Sequence, residues 1–187
     1  TASGADLKPT LAFIQPDDGN RDDQRVVKVS LPEAVPPGGS VTLDIAFVAK
    51  LPRVFARTGY QDDFYLVGQW FPKLGVYEPA GMRGREAGGW NCHQFHATSE
   101  FYANFGSYAV DITVPGDYIV GATGVRTAER TNANGTRTYT YGQDDIHDFA
   151  WTADPDYVVV KAKFSAAADV TPAEYARIAT LLGRTAD

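Results

Sequence analysis

The sequence predicts a mostly β fold: an antiparallel β-sandwich or a related open two-sheet structure, with one C-terminal helix. Three observations point there. Short stretches alternate apolar and polar residues with a period of two, as strands with one buried face do. Glycine, proline, asparagine and aspartate clusters separate these stretches at short intervals. Only one segment, near the end, carries helical periodicity together with capping residues. About ten short strands spaced by turns suit a two-sheet architecture.

Residues 90–124, WNCHQFHATSEFYANFGSYAVDITVPGDYIVGATG, organise the rest. Tyr108, Val110, Ile112 and Val114 share one face, and Ala109, Asp111 and Thr113 the other. Pro115-Gly116-Asp117 makes a turn, and Tyr118-Ile119-Val120 starts a strand that Gly121 and Gly124 break. The first half crowds aromatic, thiol, imidazole, hydroxyl and carboxylate groups, so a site is expected on or beside this unit.

In chain order, residues 1–6 are small and polar, and residues 11–14 make a short strand before the turn cluster Pro16-Asp17-Asp18-Gly19-Asn20. Residues 25–31 and 41–48 both alternate, with Val41, Leu43, Ile45 and Phe47 on one face of the second. The loop Val35-Pro36-Pro37-Gly38-Gly39 between them suggests an antiparallel pair. Residues 64–77, FYLVGQWFPKLGVY, are apolar on both parities and predict a strand buried on both sides. Residues 125–130 and 137–141 flank Asn134-Gly135, a hairpin signal because both residues tolerate positive φ. His147 is placed at a strand start, and residues 149–151 and 157–164 are the last strands. Thr171-Pro172-Ala173-Glu174 then opens a helix with a capping box. Tyr175, Ile178 and Leu182 share its face, and Gly183 ends it. The division expected is a β-domain over residues 1–168 and a helix over residues 169–187.

The chain has 187 residues, enough to bury about 70% of its unfolded surface. A formal charge of −6 leaves no basic footprint, which argues against nucleic acid. No apolar run is long enough to span a bilayer, and the single cysteine excludes an internal disulfide framework. The start at Thr1, the lone methionine Met82 and the stop at Asp187 lead to the expectation of a piece of a longer protein.

Two clusters bear on chemistry. Cys92, His93, His96 and Glu100 offer sulfur, imidazole and carboxylate, which suit zinc. Their spacing puts Cys92 and His93 on opposite faces of a strand. The favoured reading is therefore a packed thiol and two histidines bonded to backbone carbonyls. The acidic run Asp144, Asp145, Asp148, Asp154 and Asp156 lacks the spacing and glycine of a calcium loop and reads as a solvated, turn-capping segment, as does Asp62-Asp63. No G-x-S-x-G, H-E-x-x-H or phosphate loop is present, so no catalytic or metal residue is assigned.

Five blocks carry a resemblance: Gly68-Gln69-Trp70-Phe71-Pro72-Lys73-Leu74-Gly75-Val76-Tyr77; Trp90 with His96-Ala97-Thr98-Ser99-Glu100-Phe101; Val114-Pro115; Gly121-Ala122-Thr123-Gly124; and His147-Asp148-Phe149-Ala150-Trp151-Thr152-Ala153-Asp154-Pro155. In this order they resemble the N-terminal β-domain of bacterial members of the membrane alanyl aminopeptidase-like family of gluzincin zinc metallopeptidases, over residues 35–163. The resemblance implies saddle-like β-sheets ahead of a thermolysin-like catalytic domain. That domain holds the zinc, so no cofactor belongs to this chain. It also implies that this domain forms one wall of the peptide cleft, docked on its own catalytic domain. A glutamine then faces the substrate's N-terminal residue, commonly with Glu or Gln two positions later. Gln69 matches the first; Phe71 stands at the second, where a phenyl ring offers an ammonium only its π-face. A buried amide pinning a neighbouring strand is the alternative for Gln69. The compartment stays open, with a membrane-associated or extracytoplasmic parent compatible with the resemblance. A second class is a free-standing β-sandwich binding carbohydrate or protein, which requires exposed, coplanar rings at Trp70, Trp90 and Trp151. A third is a small enzyme using the Cys92/His93/His96 cluster.

Overall fold

A computed structural model describes residues 4–53, 56–99 and 101–156. The expected strand over residues 157–164, the helix beginning at Pro172 and the boundary after residue 168 lie outside the described residues. The strands are β1 (Ala12–Phe13), β2 (Val27–Lys28), β3 (Gly59–Gln61), β4 (Phe64–Val67), β5 (Val76–Glu78), β6 (Gly89–Asn91), β7 (Gly106–Pro115), β8 (Ile119–Ala122), β9 (Val125–Thr131), β10 (Thr136–Ile146) and β11 (Trp151–Asp154). Every pairing between them is antiparallel. The chain is mostly β, as its alternation predicts. Single 3-10 turns at Lys8–Thr10 and Met82–Gly84 are the helical elements among the described residues.

Two sheets enclose the core. One has the order β7-β10-β9, the other β3-β4-β11-β8. From the first, Ile112, Val114, Tyr139 and Tyr141 point inward; Val120 and Ala153 meet them from the second, around Phe149. The face read from residues 108–114 is thus the buried one. Tyr139 and Tyr141 also bridge the layers. Their hydroxyls donate to the carbonyl oxygens of Tyr118 at 2.9 Å and Val120 at 2.7 Å. Among the described residues β8 is an edge strand, so these bonds satisfy acceptors on it and just before it that have no described neighbouring strand. Burial pushes the Tyr141 phenol up, which keeps it a donor at neutral pH. In the first sheet β9, an edge among the described residues, is exposed along its whole length and carries Arg126, Glu129 and Arg130, charges that discourage edge-to-edge pairing.

Several elements differ from the sequence reading. Residues 41–48 alternate as predicted but belong to no ladder among the described residues, and β2 pairs with β1 rather than with them. Ile45 is 57% exposed, so this alternation has no described sheet to bury it; Phe47 alone reaches an aromatic partner, with its ring centroid 6.1 Å from that of Trp70. Residues 64–77 form two strands, β4 and β5, because Gly68 to Gly75 leaves the sheet as a loop. At the β9–β10 hairpin only Gly135 takes positive φ (82°); Asn134 instead caps the turn through Oδ1, which accepts from the Thr136 amide at 3.2 Å. His147 sits in the β10–β11 connection, and β11 begins at Trp151.

Candidate functional site

A cavity of about 440 Å³ opens where the loop after β4 meets the β10–β11 connection. Gly68 and Gln69 line it from the first, His147, Asp148 and Ala150 from the second, Phe101 from the segment before β7 and Arg57 from the segment before β3. The sequence placed a site on or beside residues 90–124; Phe101 alone of that unit contributes here.

The local backbone explains the placement. Gly68 is buried, and a Cβ built there would lie 2.8 Å from the Arg57 carbonyl oxygen, so the chain passes only because the side chain is absent. Gln69 then takes φ 52°, a left-handed conformation that costs a non-glycine residue on the order of 1–3 kcal/mol. This turn sends the Gln69 amide to the cavity and Trp70 to the core. The Trp70 indole donates from Nε1 to the Phe149 carbonyl oxygen at 3.0 Å and tethers the loop to the connection ahead of β11.

Asp148 is the polar centre. Its Oδ2 accepts from Gln69 Nε2. Its Oδ1 accepts from Lys73 Nζ at 2.8 Å and from the Phe149 backbone N–H at 2.8 Å. The Lys73 and Asp148 side chains are 17% and 22% exposed, so this ion pair is screened less than a surface one. The Lys73 ammonium also lies 5.5 Å and 5.7 Å from the ring centroids of Phe71 and Phe101, within cation–π range. Phe71 itself turns away to pack edge-on against Trp70 and Tyr108. The two tentative substrate residues are therefore separated: Gln69 faces the cavity and Phe71 braces the core.

The acidic run disperses. Asp148 reaches inward instead of staying solvated, whereas Asp154 caps a turn as expected, its Oδ1 accepting from the Asp156 amide at 2.7 Å. Sequence reasoning missed Asp148 and Lys73. Both stood inside quoted blocks, but nothing in their spacing showed that residues 75 positions apart form a pair.

The Cys92/His93/His96 segment has a different role. The Asp17–Asp23 turn docks on it: Asp17 Oδ1 accepts from the Gln94 amide at 3.1 Å, and Asp17 Oδ2 pairs with His96 Nε2. Gln94, 2% exposed, accepts from the Asp18 amide and donates to the Asn20 carbonyl oxygen, both at 3.2 Å. The expected backbone-carbonyl partner of His96 is thus replaced by a carboxylate. His93 Nδ1 is 3.9 Å from the same oxygen, while the Cys92 sulfur packs over Gly75. Among the described residues no three His, Cys, Asp or Glu side chains gather as a metal site, and Glu100 lies outside them. Burial raises the Cys92 pKa, which disfavours the thiolate a nucleophile requires.

The hydrogen bond to Asp17 raises the His96 pKa above 6.5, and the same bond lowers that of Asp17 below 3.8. A raised histidine stabilises fully below its unfolded value and loses that stabilisation as pH rises through the folded one. A depressed aspartate stabilises above its unfolded value and loses it as pH falls through the folded one. The docked turn is therefore expected to be tightest between about pH 4 and 6.5 and to loosen above. Amide exchange at Gln94 across this range checks it, and His96→Ala should flatten the alkaline side of the profile.

Comparison with known protein families, curated proteins and solved structures found no match for the chain. The site therefore rests on its own geometry.

The carbohydrate reading meets its own criterion poorly. Trp70 and Trp151 are only partly exposed, with ring planes at 90° and centroids 6.3 Å apart. Trp90 is 59% exposed but stands edge-on to Tyr77 on the β5–β6 hairpin. Such perpendicular rings give no flat platform for a sugar. Beneath this hairpin, Glu78 is 1% exposed, and the Asn91 amide, the Tyr102 hydroxyl and Arg85 hold its carboxyl below the usual range.

Proposed function

We propose that this chain is the non-catalytic N-terminal β-domain of a bacterial, aminopeptidase-like zinc metallopeptidase, where it forms one wall of the peptide-substrate cleft and docks on the catalytic domain. One observation carries the reading. Three of the five blocks behind the resemblance, those holding Gln69, Phe101 and Asp148, converge on a single cavity from positions far apart in sequence. A polar amide held in a left-handed backbone conformation at that cavity also fits a ligand-facing role, since such strain collects at functional sites.

In this reading zinc and the residues that hold it belong to the catalytic domain, where the metal activates the attacking water. This chain binds and orients: Gln69 meets the substrate's N-terminal residue, and Phe101 bounds the same space. Phe71 supports the loop from the core side, so the acidic or amide partner common in the family is replaced by packing.

The test uses the product of the complete reading frame with an alanine p-nitroanilide. Zinc-dependent release of the aniline is expected, and Gln69→Leu should raise KM about tenfold, as loss of a hydrogen bond to a charged group does. Zinc-independent turnover, or an unchanged KM, contradicts the reading. Residues 1–187 alone should hydrolyse nothing; turnover by them that disappears in Cys92→Ala or His96→Ala contradicts it as well.

A further inference from the structure

We infer that the exposed face of residues 41–48 is a docking surface for residues 157–164 of the same chain, which add to it as an antiparallel strand with Asp44 opposite Lys161. The inference is independent of the reading of the cavity.

Residues 41–48 have the makings of a strand and no partner among the described residues. Val41, Leu43, Ile45 and Phe47 share one parity, and each is between 38% and 57% exposed. Such residues at a period of two suit a half-buried sheet surface, not open water. No backbone hydrogen bond joins the stretch to another described residue, and β2, which the sequence assigns to it, pairs with β1. Open backbone groups beside an apolar face are what a further strand takes up.

Parity and charge choose the occupant. Residues 157–164, YVVVKAKF, also number eight, and they alternate Val158, Val160 and Ala162 against Val159, Lys161 and Lys163. With Tyr157 set antiparallel opposite Val48, Ile45 meets Val160 and Leu43 meets Ala162, so apolar faces apolar from end to end. The same alignment puts Asp44, the one acid in residues 41–48, directly opposite Lys161 and diagonal to Lys163. A slip of one residue would instead drive Lys161 against Leu43 or Ile45 on the apolar face.

Reach sets the direction. The Phe47 ring lies 6.1 Å from Trp70, and Trp70 lies 6.3 Å from Trp151, the first residue of β11. The C-terminal end of residues 41–48 is therefore the end near β11. The chain leaves β11 at Asp154 and comes to Tyr157 within about 10 Å of extended backbone. A parallel strand would have to start at Val41 instead, about 20 Å further along an extended stretch.

The experiment uses the full chain carrying Cys92→Ala, so that no native thiol competes. Asp44→Cys and Lys161→Cys are introduced together, the protein is oxidised while dilute, and the disulfide is mapped by mass spectrometry. Directly opposed strand residues have Cα atoms about 4.5–5.5 Å apart, within disulfide reach, whereas diagonal ones are about 7–8 Å apart. An intramolecular disulfide should form about tenfold faster with Lys161→Cys than with Val159→Cys or Lys163→Cys as the partner of Asp44→Cys. Equal rates at the three positions, or a faster rate at either control, overturn the inference. A disulfide formed only between two chains gives the face to a second copy and overturns it as well.

Hydrogen exchange of the unmodified chain supplies a measurement that needs no variant. Every second amide of residues 41–48 should exchange about tenfold or more slowly than an unpaired amide. Exchange at the unpaired rate throughout, or protection that grows with protein concentration, overturns the inference. Val159→Pro and Val160→Pro are then tested separately, since one of the two must remove a ladder donor. Protection of residues 41–48 should be lost in at least one of them while that of β7 and β10 persists; protection that survives both overturns the inference too.

Discussion

Phe149→Ala is expected to destabilise the chain by about 3–5 kcal/mol, the usual cost of emptying a phenylalanine site in a packed core. Phe149 is 0% exposed. It stacks on Tyr108 with centroids 6.1 Å apart and meets Tyr141 edge-on at 6.5 Å, so its ring joins β7 to β10. Its backbone belongs to the site, because the carbonyl oxygen accepts from the Trp70 indole and the N–H donates to Asp148 Oδ1. The midpoint of thermal unfolding should therefore fall by roughly 6–20 °C. The Gln69–Asp148 contact should loosen even where the variant remains folded. Phe149→Leu, which keeps most of the volume, should cost about 1.5 kcal/mol or less. A Phe149→Ala variant within 1 °C of the parent would mean that the two sheets do not share this core.

Gly124→Ala is the second large effect, expected at about 2–4 kcal/mol from positive φ and overpacking together. Gly124 lies between β8 and β9, where the chain leaves one sheet for the other. Its φ of 86° is one that L side chains rarely adopt. A Cβ there would also sit 2.7 Å from the Gly142 carbonyl oxygen and 2.8 Å from the Gln143 Cβ, both on β10. Neither neighbour can yield without disturbing the β10 ladder. Denaturant unfolding measures the cost, and Gly106→Ala, where nothing lies within 4 Å of the added carbon, provides the comparison.

The sheet-forming half of this chain was legible because its signals are local. Tyr108, Val110, Ile112 and Val114 alternate over one strand, and Pro115-Gly116-Asp117 marks its end, so period and turn chemistry agree. Residues 41–48 show the same period and form no described ladder, since alternation states which residues want burial and not where a partner strand lies. The site was half legible. Gln69 was found through resemblance, but its partner Asp148 stood in a run of acidic residues that reads as solvated. Only the fold brings residues 69, 73 and 148 together. His96 was read as bonded to a backbone carbonyl; its partner is instead the Asp17 carboxylate, 79 positions earlier, again a long-range fact.

The most direct test of the proposed peptide-binding role of the cavity is covalent. A short peptide with a free N-terminus and a diazirine on its first side chain is irradiated with the product of the complete reading frame, and labelled residues are read by mass spectrometry. Labelling should fall on residues 68–69, on Phe101 and on residues 147–150, and it should fade when the peptide is N-acetylated. Labelling centred on Tyr77 and Trp90, or labelling indifferent to acetylation, would contradict the account.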